Sequence, residues 1–198
     1  MALIQQLSPH LADMIAAGEV VERPASVVKE LLENAIDAGA TVVTVELRGG
    51  GMSLIRISDN GCGIAPDELP TAFLRHATSK LRTEEDLSAI GTLGFRGEAL
   101  AAIAAVSRVE ITSRRRGADV GARLCLEAGV PGRVEPCGCP EGTAIAVHNL
   151  FYNTPARMKF MKKDSAEASA AAAVVQHTAL SHARISFKLL RDGAEQLY

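Results

Sequence analysis

The sequence predicts a two-layer α/β (α+β) sandwich, a mixed but mostly antiparallel sheet with helices on one face. Three observations carry that prediction. Alternating, β-branched segments recur at 41–47, 54–58, 108–113, 122–127 and 143–149 with short turns between several of them, which is how strands with one buried face read. The stretch from Pro24 to Ala40 has helical periodicity and two unlike faces, and Ser165 to Ala183 is a long alanine-rich helix. At 198 residues, 47% hydrophobic and 22% charged, the chain is one large globular domain, or one domain and a fragment of another, and not a disordered one.

Taken in order, Ser8-Pro9 starts a short helix, Leu11, Met14 and Ile15 recur at helical spacing, and Gly18 closes it. Residues 1–20 thus read as an arm, with Met1 to Leu7 loose unless something holds them. In the next helix Pro24 suits the first turn and Gly39 the stop. At about 100° per residue, Val28, Leu31, Leu32, Ala35 and Ile36 share one side, and Glu30, Glu33, Asn34 and Asp37 the other. Three acids stand there with no Lys or Arg four residues on to offset them. A cation would relieve their repulsion. Glu30 and Asn34 are one turn apart, so a carboxylate and an amide oxygen point the same way, as suits a water-activating base beside an Mg²⁺ ligand.

The strand at 41–47, the Gly49-Gly50-Gly51 turn and the strand at 54–58 make a hairpin, which runs into Asp59-Asn-Gly-Cys-Gly-Ile64. Asp-Asn-Gly alone is a turn signal. Gly61 and Gly63 also remove Cβ atoms where a ligand could approach, and Asp59 can accept a hydrogen bond from an exocyclic amine. Pro66-Asp-Glu reads as a helix start. Glycines at 91, 94 and 97, entering the alanine-rich run 99–106, form an anion cradle of a kind that often doubles as a mobile lid. The Walker pattern is absent. Arg114-Arg-Arg116 lies in the turn between two strands, and Thr154-Pro155 caps a helix. A strand at 184–190 turns at Arg191-Asp-Gly193, and the return strand has barely begun when the chain stops at Tyr198, so it reads as the N-terminal domain of something longer.

Charge and cysteine content narrow the classes further. A net charge of -2 gives no general attraction for nucleic acid, so any such surface is local. Neither a secretory signal nor an apolar membrane span is legible, and an intracellular protein is expected. Cys62, Cys125, Cys137 and Cys139 are too few and too irregular for a disulfide framework or a zinc site, and read as reduced thiols. His177 and His182 are off the spacing that would put two ligands on one face.

An acidic helix with Glu-x-x-x-Asn, Asp-x-Gly-x-Gly after a strand, a glycine-rich lid and Gly-Thr before a strand occur in that order, at 30–34, 59–63, 91–98 and 142–143. This pattern resembles the GHKL (Bergerat-type) ATPase fold of gyrase, Hsp90, histidine kinases and MutL. The wording of 15–30, 75–80, 94–100 and 151–157 looks most like MutL-type DNA mismatch-repair proteins, and the likeness covers essentially the whole chain.

That resemblance implies ATP and Mg²⁺ as ligands, with Glu30 the general base, Asn34 the Mg²⁺ ligand and Asp59 the adenine reader. Thr143 would lie near the adenine, and Ala38, Gly61 and Gly63 would contact the nucleotide. Lys80 and the backbone of Leu93, Gly94, Phe95, Arg96, Gly97, Glu98, Ala99 and Leu100 would hold the phosphates, and Thr78 and Ser79 would also contact the nucleotide. The expected function is a slowly hydrolysing ATP switch whose N-terminal domains dimerise on binding ATP, as a homodimer or with a paralogue. A MutS-type mismatch sensor and a downstream repair nuclease or helicase are the implied protein partners. DNA contact through this domain is expected to be weak and nonspecific, and no membrane contact is expected. The location would be cytoplasmic and DNA-associated in a bacterium, nuclear in a eukaryote. Family members continue into a second domain that supplies a lysine to the γ-phosphate, and often into a dimerisation domain.

Two rivals share the pattern: a histidine-kinase-like phosphotransferase and a nucleotide-binding module that does not hydrolyse. Glu30 one turn before Asn34 argues against the kinase, which has no use for a water-activating base at that place.

Overall fold

The computed structural model describes residues 5, 15, 17–77 and 97–197. Among these, helix α1 spans Pro24–Asp37 and is followed by strands β1 (Val42–Arg48) and β2 (Leu54–Asp59), joined through a 3-10 turn at Gly49–Gly51. A second 3-10 turn, Thr71–Phe73, precedes α2 (Ala99–Ala105), and β3 (Arg108–Arg114), β4 (Gly121–Glu127), β5 (Val130–Pro131), β6 (Glu135–Cys137) and β7 (Gly142–His148) follow. Helices α3 (Pro155–Met158) and α4 (Asp164–Ser181) then lead to β8 (Ser186–Arg191) and β9 (Ala194–Leu197).

The strands form one sheet in the order β5-β4-β3-β7-β2-β1-β8-β9, with β6 also on β4. Neighbours are antiparallel except β1 and β8, which run parallel. A parallel neighbour needs a crossover, and α3 and α4 lie within it. The mixed, mostly antiparallel sheet is therefore as the sequence predicts.

Alternation sets the two faces. Val43, Val45 and Leu47 of β1, Ile55 and Ile57 of β2, and Val109 and Ile111 of β3 are buried with Val28, Leu31 and Leu32 of α1. Residues of the other parity form an open face of cross-strand charges: Arg56 lies 3.4 Å from Glu46, Arg123 2.9 Å from Glu110, and Arg108 2.9 Å from Glu127. Exposed pairs of this kind each contribute less than about 1 kcal/mol. Their effect is to keep that face wet.

Helix α4 is too uniformly apolar to declare a face by periodicity, and its small alanines let it pack closely on α1 and the Gly49–Gly51 turn. It carries one buried acid. The Glu167 carboxylate accepts from Arg23 Nη2 at 3.0 Å and from the Lys162 N–H at 2.9 Å. Because Arg23 occupies the N-cap position of α1, this contact fixes where that helix begins.

Several local readings need correction. Gly18 does not end a helix, since residues 17–20 are helical and Val21 N–H donates to Ala17 O. Pro66 starts no α-helix: 66–70 is a run of turns anchored by buried Leu69, and Phe73 is buried in the 3-10 turn. Thr154 holds the N-cap position of α3 without capping it, because its hydroxyl donates to Phe151 O instead. The strand expected at 184–190 begins at Ser186, and the return strand after it is β9. No helix among the described residues is long and apolar enough to cross a membrane.

Candidate nucleotide site

The polar face of α1 presents Glu30, Glu33, Asn34 and Asp37, all half-buried, opposite Val27, Val28, Leu31 and Leu32. One expectation about it fails. Glu33 does have a basic neighbour on the helix, Lys29, whose Nζ is 3.7 Å away. The lysine precedes the acid by four residues, so a search forward from the acids misses it.

The helix ends in a Schellman arrangement: Gly39 N–H donates to Ile36 O, Ala40 N–H donates to Ala35 O, and Gly39 has the left-handed φ of 72° that this stop requires. The stop brings Ala38 against the Asp59 loop. Cys62 N–H donates to Ala38 O at 2.9 Å, and a Cβ on Gly61 would fall 2.8 Å from both Ala38 Cβ and Ala38 O. Any larger residue at 61 would push the loop off the helix. Asn34 and Glu30 lie one and two turns back along α1 from that junction.

Asp59 closes β2. Its carboxylate accepts the N–H of Gly61 at 2.8 Å and faces the backbone N–H of Thr143, its partner across the ladder. Burial pushes the Asp59 carboxyl above its usual value, and these two N–H donors oppose the shift without cancelling it. The loop beyond is pressed on β3 and β7. Gly63, at φ 70°, leaves no room for a side chain against the carbonyl of Arg114, and Gly142 leaves none against the carbonyl of Asp59. Buried Ser113 bridges the two: its Oγ accepts Ile64 N–H at 2.8 Å and lies 2.9 Å from both Gly142 O and Thr143 Oγ1.

Ala38, Asp59, Gly61, Gly63 and Thr143 are thus held together beside the polar face that carries Glu30 and Asn34. Of the expected phosphate-holding residues, Gly97, Glu98, Ala99 and Leu100 are half-buried at the start of the seven-residue helix α2. Glu98 sits at its N-cap position and contacts His76 Nδ1 at 3.3 Å, and a Cβ on Gly97 would meet Ala77 O at 2.7 Å. Thr78, Ser79, Lys80, Leu93, Gly94, Phe95 and Arg96 lie outside the described residues, as do Gly91 and most of the expected lid. The basic run leans on the same loop, with Arg116 N–H donating to Cys62 O at 3.0 Å. Arg114 is partly used, donating to Ala118 O, which leaves Arg115 and Arg116 exposed.

This geometry joins the first two motifs of the ordered pattern to the last, and comparison with known proteins bears on what they amount to. A family model described as histidine kinase-, DNA gyrase B- and HSP90-like ATPase matches residues 22–128, more than half of the chain. The chain belongs to this ATPase family. Within it, the DNA mismatch repair protein MutL of Acidobacterium capsulatum is 53% identical over 189 residues, covering 96% of this chain and 28% of that protein. MutL of Heliobacterium modesticaldum is also 53% identical over 189 residues, covering 96% and 29%. A solved structure, the Aquifex aeolicus MutL ATPase domain complexed with ADP, has a TM-score of 0.73 at 34% identity, covering 90% of this chain and 63% of that one. The chain spans under a third of the length of these two curated relatives. Membership of the ATPase family makes it a nucleotide-binding domain of ATPase type, with its likeness on the MutL side.

Proposed function

We propose that this chain is the ATP-binding, slowly hydrolysing switch domain of a DNA mismatch-repair protein. The observation that carries the proposal is the junction of Ala38 with Gly61, which sets the Asp59 carboxylate beside the helix bearing Glu30 and Asn34. In this reading Asp59 and Thr143 receive the adenine, and Gly97 to Leu100 belong to the cradle for the phosphates together with the stretches at 78–80 and 93–96. Glu30 takes a proton from the attacking water as its oxygen bonds to the γ-phosphorus. The bond from that phosphorus to the bridging oxygen breaks, leaving ADP and phosphate.

The donor set fits Mg²⁺. Asn34 offers an amide oxygen, and no group of three or more His, Cys, Asp or Glu that could cage a metal occurs among the described residues. A site with few protein ligands suits an ion that keeps its waters and arrives on a triphosphate. Mg²⁺ bound there would neutralise charge developing on the phosphate oxygens.

Slow turnover fits a switch whose output is a conformation. Association of two such domains on ATP, and reading of that state by a mismatch sensor and a downstream nuclease or helicase in the bacterial cytoplasm, complete the proposal. Replacing the carboxylate of Asp59 by an amide of the same size tests its adenine-binding part. Asp59→Asn is expected to weaken ATP at least tenfold while the melting temperature holds or rises, because a partly buried charge is removed. The sign follows from the raised pKa: ionised Asp59 costs folding stability as pH rises through that value, whereas adenine binding needs the ionised form and is lost as pH falls through it. Loss of folding in Asp59→Asn, seen by thermal denaturation, would assign the residue to structure instead.

DNA contact through the domain is expected to be local to Arg115 and Arg116, and so weak, nonspecific and steeply salt-dependent. Titration with duplex DNA at two salt concentrations checks this. Tight binding that ignores salt would contradict it.

A further inference from the structure

Ser113 stands at the last inward position of β3, after Val109 and Ile111, where alternation calls for an apolar residue. It is 1% exposed. A buried hydroxyl is costly unless bonded, and this one has three partners at 2.8 to 2.9 Å: Ile64 N–H, Gly142 O and Thr143 Oγ1.

A hydroxyl has one proton and two lone pairs. Ile64 N–H can only donate, so it takes one lone pair. Gly142 O can only accept, so it takes the proton. The remaining lone pair is left for Thr143, whose hydroxyl must then donate to Ser113. All three bonds form at once only in this arrangement, and it turns the lone pairs of Thr143 away from Ser113. The Thr143 backbone N–H meanwhile lies in the ladder, paired across from Asp59. The loop end therefore offers acceptors from two residues, the carboxylate of Asp59 and the hydroxyl oxygen of Thr143.

Adenine carries an exocyclic amine donor where guanine carries a carbonyl acceptor. We infer that Ser113 is a positioning residue for base selection: it holds the Asp59–Ile64 loop to Gly142 and fixes the Thr143 hydroxyl as an acceptor, so that the site takes adenine and rejects guanine. The inference rests on the proposed reading of Asp59 as the adenine contact. Without Ser113, the Thr143 hydroxyl turns freely and can donate to a guanine carbonyl.

The test measures affinities of non-hydrolysable ATP and GTP analogues, with Mg²⁺, for the parent chain, Ser113→Ala, Asp59→Asn and Ser107→Ala. Ser107 is an equally buried serine whose hydroxyl donates to Ile103 O at 2.6 Å, its one partner among the described residues, so it controls for the general cost of losing such a group. Ser113→Ala is expected to lose about five- to tenfold in preference for the ATP analogue over the GTP analogue, the size of one hydrogen bond. Ser107→Ala is expected to lower the melting temperature and leave the preference unchanged. Ser113→Cys keeps the volume with a weak donor, and decides the same ratio should the alanine variant not fold. An unchanged preference in the Ser113 variants, with Asp59→Asn weakening ATP, would overturn the inference alone. If Asp59→Asn binds ATP like the parent, the underlying adenine reading fails as well.

Discussion

Glu30→Ala, placed in the full-length protein, is expected to bind Mg-ATP nearly as the parent does and to lose turnover by about 10² to 10⁴ fold, the usual contribution of a positioned base. The physical ground is the division of α1 into two faces. Its apolar side is buried against the sheet and α4, whereas residue 30 is half-buried on the polar side, away from that core. Alanine also has the higher helix propensity. A merely solvated glutamate would cost less than about 0.5 kcal/mol of stability and leave ATP untouched. Nucleotide binding and single-turnover hydrolysis, measured together, separate these cases, and hydrolysis at the parent rate would remove Glu30 as the base.

Asn34→Ala is expected to fail earlier, at binding. Removing the amide oxygen should weaken nucleotide by at least about tenfold when Mg²⁺ is present, the loss of one ligand to the ion, and much less in a chelator. Turnover then falls through occupancy. The backbone carbonyl of Asn34 still accepts from Ala38 N–H in the variant, so the helix end that supports the Asp59 loop is preserved. Titration in Mg²⁺ and in chelator reads the effect directly. Equal losses in both conditions would mean that Asn34 touches the nucleotide or the fold and not the metal.

The elements that sequence reading recovered are those whose signal is local. The β1–β2 hairpin follows from alternation interrupted by three glycines, and the extent of α1 from a proline and a glycine at its ends. Strands β5 and β6 were not legible. They are two and three residues long, contain Pro131 and Pro136, and exist because β4 offers them a partner. The parallel seating of β8 on β1 is equally nonlocal, since no short-range pattern encodes which edge a crossover reaches.

Of the candidate site, Glu30, Asn34, Asp59 and Thr143 stand out in the sequence as residue types at motif spacings. The contact of Ala38 with Gly61 was open to inspection only in three dimensions. Ser113 did leave a trace, as a polar residue in phase with Val109 and Ile111. An out-of-place hydroxyl on the buried parity of a strand is a signal worth following. Glu167 left none, because an alanine-rich helix does not show which of its sides is buried.

In the proposed function the Asp59 loop and the Glu30–Asn34 face together bind an adenine nucleotide through Mg²⁺. Calorimetric titration of this chain with a non-hydrolysable ATP analogue, in Mg²⁺ and again in chelator, tests it most directly. Saturable binding that is stronger with Mg²⁺ and weakened by Asp59→Asn is the expected result. Absence of binding in both conditions, or binding indifferent to both the metal and Asp59, would contradict it.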